Sequence, residues 1–170
     1  EVSDHPHATI WQARTLARAG RLAHEGEPEA ALDAILAEGS DGKGKDGTAA
    51  ANLAAWAALA RAEVRLARGD ASGAREGLRG AVAQAVPDDV AFYEGVAELA
   101  VEQGDVDLAR QYLDKVLAAQ PDSLRSKVLA ARVHFAAGNV ASASEALEKL
   151  GDLSGRTDEL ILRGRVRLAL

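Results

Sequence analysis

Four glycines, Gly26, Gly69, Gly104 and Gly138, each stand five residues before an alanine (Ala31, Ala74, Ala109, Ala143), and each alanine stands four before Ile35, Leu78, Leu113 or Leu147. The glycines are 43, 35 and 34 residues apart. Residues four apart share one face of a helix, so each alanine offers a place for close approach and each aliphatic partner fills the groove beside it. A single helix pair cannot bury such a face, whereas stacked copies can. The spacing therefore predicts an all-α array of antiparallel helix pairs, a class that binds through extended surfaces.

The rest of the chain agrees with that frame. Aromatic residues make up only 4% of the 170 residues, which suits helices packed on small side chains better than a sheet built from aromatic and β-branched ones. Each framing glycine is followed by Glu27, Asp70, Asp105 or Asn139. Glycine ends one helix in the left-handed conformation, and in three copies Asp or Asn is placed to cap the next. Pro28 suits a first helical turn, and Pro87 and Pro121 close second helices. Helix pairs are expected at 7–25 and 28–38, 49–68 and 71–85, 88–103 and 106–119, and 123–137 and 140–150, followed by a lone helix at 156–170. The first interval is nine residues longer than the shortest, and Gly39 to Gly47 is a nine-residue run of glycine and small polar residues. It is expected to be a flexible loop over 39–48. Its Asp41 and Asp46 are interleaved with Lys43 and Lys45, where a calcium loop needs oxygen ligands.

Several function classes are disfavoured. A formal charge of −6 and a pI of about 5.2 lack the basic footprint of a nucleic-acid binder. The absence of cysteine removes disulfides, thiolate zinc sites and thiol nucleophiles. No apolar run has the length of a membrane span. His5 and His7 are too few for a defined metal site, and His24-Glu25 lacks the second histidine of a zinc-protease motif. No nucleophile elbow or phosphate-cradling loop occurs, so the chain is expected not to be an enzyme and to need no cofactor. It opens at Glu1, and the periodic stretch Glu159–Leu170 stops where the frame calls for another turn glycine; a segment of a longer protein is expected.

The unit resembles the tetratricopeptide repeat, whose pattern runs aromatic, Leu-Gly, Tyr, then Ala, aromatic and Pro. The fullest copy is Tyr93, Val96-Ala97, Ala100, Gly104, Ala109, Leu113, Val116 and Pro121; the next keeps Ala130-Ala131, His134, Gly138, Ala143, Leu147 and Leu150. Arg18, Arg61 and Arg65 stand where the family places Leu or Tyr. The resemblance implies a right-handed α-solenoid in one domain, with about four repeats at 7–38, 49–87, 88–121 and 122–152 and a capping helix at 156–170. It also implies that the first helix of each pair lines a concave groove. Carried over by frame, that groove shows Trp56, Leu59 and Glu63, then Glu94, Glu98 and Glu102, then Arg125, Val128, Arg132 and Phe135. The chaperone-binding branch of the family clamps a carboxylate with Lys and Asn, whereas this chain has Leu16, Gly20, Leu59, Glu63, Glu94 and Glu98 in those places.

Glu94, Glu98 and Glu102 form one helical stripe at four-residue spacing. One reading is an acidic groove for a basic or amphipathic partner; the competing one is pairing with Arg125 and Arg132 of the adjacent first helix, and that competing account carries more weight because charged stripes are usually solvated faces. Trp56 and Phe135 are candidate apolar anchors. Trp11 is expected in core or end-cap packing outside the groove, and Tyr93 and Tyr112 between helices. The resulting expectation is a scaffold or adaptor that captures a partner peptide or helix. The alternatives are a homo-oligomeric self-assembly module and a helical accessory domain of an enzyme. Abundant Ala, Arg and Gly suggest a high-GC bacterial source, in cytoplasm or periplasm.

Overall fold

A computed structural model describes residues 5–19, 28–40, 47–83, 88–150 and 157–170. Among them all regular structure is helical: α1 (Pro6–Arg18), α2 (Pro28–Ser40), α3 (Gly47–Ala67), α4 (Ala71–Ala83), α5 (Val90–Glu102), α6 (Val106–Ala119), α7 (Leu124–Ala136), α8 (Val140–Glu148) and α9 (Thr157–Ala169). The helices fall into two compact units, Glu1–Asp88 and Asp89–Leu170. Nearly all boundaries lie within two residues of those expected, but α1 ends at Arg18. Its expected continuation to residue 25, together with Gly26, Pro87 and residues 41–46 of the glycine-rich run, lies outside the described residues. The flanks of that run are helical, since α2 extends through Gly39 to Ser40 and α3 begins at Gly47.

The turn chemistry follows the frame. Gly69, Gly104 and Gly138 have φ of 85°, 74° and 75°, the left-handed conformation that glycine adopts without a Cβ clash. Asp70 accepts a hydrogen bond from the Gly73 amide at 2.9 Å and Asp105 from the Leu108 amide at 3.2 Å. Asn139 departs from expectation: it stands at the start of α8 but makes no side-chain cap bond. Two caps come from outside the glycine frame. Asp89 receives the Ala91 amide at 2.9 Å and Ser123 the Ser126 amide at 3.0 Å, so the first helices of both pairs in the second unit are also fixed at their N-termini.

In the first unit α3 packs on α1, α2 and α4. Its interior is mostly alanine, with Leu59 and Val64 fully buried, as are Leu32 of α2 and Leu78 of α4. Small residues set the spacing: a Cβ built on Gly77 of α4 would lie 3.0 Å from the Ala62 Cβ of α3. The framing alanine of this pair, Ala74, is fully buried. Arg61 and Arg65 of α3 and Arg68 in the turn after it meet carboxylates of α2, Arg61 with Asp33 at 2.6 Å and Arg68 with Glu29 at 2.7 Å. Arg61 and Arg65, at positions where the apolar or aromatic residue of the resembled repeat is expected, are thus accommodated by anchoring their heads on a neighbouring helix.

In the second unit α7 packs on α5, α6, α8 and α9. Phe92, Val96 and Leu99 of α5 are buried, as are Leu113 and Val116 of α6. Tyr93 and Tyr112 do join α5 to α6, with ring centroids 5.9 Å apart, and the Lys115 ammonium lies over both rings. The Tyr112 hydroxyl is pushed to a higher pKa by burial. A further apolar cluster joins Ala131 of α7, Ala143 and Leu147 of α8, and Leu162 and Val166 of α9, with Phe135 packed at its edge. Thus α9 does cover the last helix pair, as its sequence position implies.

Candidate functional site

The first helix of each pair carries the chemistry, and the two units treat it differently. In the first unit, Arg14 of α1 grips Glu63 of α3 through two guanidinium nitrogens: Nε to Oε2 at 2.7 Å and Nη2 to Oε1 at 2.9 Å. Arg18 adds a third bond to the same carboxylate at 3.1 Å. Both Arg14 and Glu63 are buried, with side chains 4% and 9% exposed. The guanidinium carbon also lies 5.1 Å from the Trp11 ring centre and 4.7 Å from that of Trp56. A planar cation that forks onto a carboxylate while lying against indoles loses little of its hydrogen bonding on burial.

This arrangement corrects the expected groove for the first unit. Leu59 is fully buried and Trp56 nearly so, because α1 packs directly onto that side of α3. Glu63 points into the same contact, where its charge is neutralised. Trp11 does pack, with its ring centre 5.4 Å from that of Trp56, yet it keeps half of its surface in solvent. The sequence signal for this contact is the Trp11-Arg14-Arg18 spacing on one helical stripe, which reads equally well as a solvated face until α3 is placed against it.

In the second unit, Arg125 of α7 reaches back to α5, with Nε 2.8 Å from Glu94 Oε2 and Nη2 3.4 Å from Glu98 Oε1. Glu94 is 6% exposed at its side chain and Glu98 22%, while Arg125 is 52% exposed. The stripe is therefore not a free acidic surface: a cation from the adjacent first helix straddles its two leading carboxylates. Glu102, one turn further along, is exposed.

Beyond that ion pair, α5, α7 and α9 enclose an open cleft of about 390 Å³. Val101 of α5, Phe135 of α7 and Ile161 of α9 supply large apolar lining, and Arg132, Asp158 and Arg165 line the cleft as well. Val128 is half-buried on α7. Arg132 and Phe135, both expected in the groove, are thus brought together at this cleft. Asp158, Ile161 and Arg165 come from α9, to which the sequence frame assigns only a capping role; the signal for them is its place as another first helix in that frame. Among the described residues no three His, Asp or Glu side chains converge to hold a metal ion, and no helix is long and apolar enough to cross a membrane.

Residues 100–156 match the family model described as tetratricopeptide repeat. That stretch runs from the end of α5 past α8, and includes the Gly104 and Gly138 turns. No curated protein and no solved structure matches the chain.

Proposed function

We propose that this tetratricopeptide-like chain is a non-catalytic protein-interaction scaffold that captures a partner peptide in the cleft between α7 and α9. Tetratricopeptide and related helical arrays present extended concave surfaces to their partners, and the family match supports that general role. The observation that carries the finer reading is the cleft itself. Its lining combines the apolar Val101, Phe135 and Ile161 with two arginines and one aspartate, the usual composition of a site that takes an apolar anchor and orients it by a few polar groups.

The charge balance also revises the partner. Glu63, Glu94 and Glu98 are engaged by arginines of neighbouring helices, whereas Arg132 and Arg165 face the cleft. A peptide with one aromatic or aliphatic anchor beside an acidic residue fits this rim better than a basic one. Panning a random peptide display library against the chain tests the reading. Enriched sequences should pair Asp or Glu with a large apolar residue, and their binding should fall about tenfold or more in Arg132→Glu and Phe135→Ala. Enrichment of Lys- and Arg-rich sequences would reverse the charge assignment, and binding untouched by both substitutions would remove the cleft from the proposal.

A further inference from the structure

The charged side chains that line the cleft between α7 and α9 are of both signs: Arg132, Asp158 and Arg165. Among the described residues none of them takes part in an ion pair or a side-chain hydrogen bond, whereas Arg125 on the same face of α7 bridges Glu94 and Glu98. Opposite charges that share an apolar cleft without pairing leave both signs available to a ligand. Their order along α9 is fixed by the helix. Asp158, Ile161 and Arg165 recur at spacings of three and four residues, so they share one face, with Ile161 between two charges about 10 Å apart along the axis.

We infer that the occupant of this cleft is a dipolar peptide segment, with an apolar anchor against Ile161, an acidic residue at the Arg165 end and a basic residue at the Asp158 end. The inference rests on the cleft being the capture site proposed above, and it makes Asp158 a specificity-determining residue. In an extended peptide residues two apart point to the same side and each residue advances about 3.3 Å. An acid and a base each placed two residues from the anchor are therefore about 13 Å apart, within side-chain reach of both charges on α9. Two arginines against one aspartate still favour an acidic residue in the ligand. A second acid, however, would lie beside the Asp158 carboxylate, so a uniformly acidic peptide is selected against. Asp158 also stands in the first turn of α9, where a carboxylate favours the helix on its own account; only a measurement of recognition separates the two roles.

Fluorescence anisotropy with a set of labelled synthetic peptides tests this directly. The probes share the core Glu-Gly-Trp-Gly and differ only in the next residue, which is Lys, Gln or Glu. At low salt the Lys probe should bind the unmodified chain roughly threefold more tightly than the Gln probe, and the Glu probe roughly threefold more weakly, as exposed charge pairs allow. The differences should vanish near about 1 M salt, where such pairs are screened. Asp158→Asn should remove the preference for Lys over Gln and leave the affinity for the Gln probe unchanged, while Asp158→Lys should make the Glu probe the tightest of the set. Arg165→Gln should weaken the Lys and Gln probes by the same factor, because both carry the acid it meets. Equal binding of the Lys and Gln probes, or a Lys preference that survives Asp158→Asn, overturns the inference and leaves the cleft as a site for an anchor and an acid alone. Failure of every probe to bind overturns the cleft reading and the inference together, so the two failures remain distinguishable.

Discussion

The two units solve one electrostatic problem to different depths. In each, a glutamate on a first helix is met by an arginine from the neighbouring first helix: Glu63 by Arg14 in one, Glu94 by Arg125 in the other. The acid is buried in both. The base is buried only in the first unit, where two indoles cover Arg14, whereas half of Arg125 stays in water. The same pair of residue types thus yields a closed structural clamp in one place and a hydrated bridge beside an open cleft in the other. The difference is whether aromatic residues are available to cover the guanidinium.

The largest effect expected from this contrast is at the closed clamp. Glu63→Ala strands Arg14 as a buried cation without its carboxylate and should destabilise the first unit by about 3–5 kcal/mol, measured by urea denaturation. Replacing Arg14 and Glu63 together by leucine should recover much of that loss, because two well-packed apolar residues avoid the desolvation of both charges. If Glu63→Ala alone costs under about 1 kcal/mol, the clamp is hydrated and the contrast between the units disappears. Arg125→Ala should be milder, roughly 1–2 kcal/mol, since water reaches one partner and screens the interaction while Glu94 still loses its Arg125 cation. An equal cost at both sites would show that exposure of the base does not decide the outcome.

Helix spacing separates the two units on a smaller scale. At the residue preceding the framing leucine, the first unit has Gly77 and the second Tyr112, so α4 lies against Ala62 where α6 instead meets Tyr93. Gly77→Ala sets its Cβ 3.0 Å from the Ala62 Cβ, and overpacking there should outweigh the gain in helix propensity, for a net loss of about 1 kcal/mol. Gly80→Ala, three residues on, meets nothing within 4 Å and should stabilise by roughly 0.5–1 kcal/mol. Opposite signs in thermal unfolding would establish close helix approach at Gly77; the same sign would remove it.

Much of this architecture is legible in the sequence because its determinants are local. Gly69, Gly104 and Gly138 permit the left-handed backbone that each turn adopts, and the polar cap position or periodic run after each marks it as a turn; Ala74, Ala109 and Ala143 mark the buried face by spacing alone. The groove is less legible. A stripe such as Glu94-Glu98-Glu102 fixes which residues share a helix face, but whether that face is open depends on the reach of Arg125 from another helix. Trp56 and Leu59 are not surface residues for the same reason: their exposure is decided by how α1 sits on α3, which no periodicity within α3 encodes. The caps at Asp89 and Ser123 escape a reading centred on the glycine frame, which points to second helices, although a polar residue ahead of an apolar periodic run is itself a start signal.

The smallest expected effect concerns the exposed carboxylates that trim helices in each unit. The Gly73 amide, the Ser72 hydroxyl and then Arg65 hold Asp70 below the ordinary carboxylate value of 3.8, and a hydrogen bond and charge from Lys149 hold Glu145 below 4.5. A depressed folded-state pKa means the carboxylate's contribution is present above the unfolded value and lost as pH falls through the folded one. Acid should therefore loosen the start of α4 in the first unit below about pH 4 and release the Lys149 contact at the end of α8 in the second. Amide chemical shifts distinguish these events from global unfolding: the Gly73 amide should move with the Asp70 titration while core amides such as Val96 stay in place. Asp70→Asn keeps an acceptor oxygen for the cap but removes the titration, so the Gly73 shift should no longer follow pH in that range. If it still does, the acid response of α4 originates elsewhere than its capping carboxylate, and the first turn of that helix is governed by the packing of Ala74 on α3 rather than by its cap.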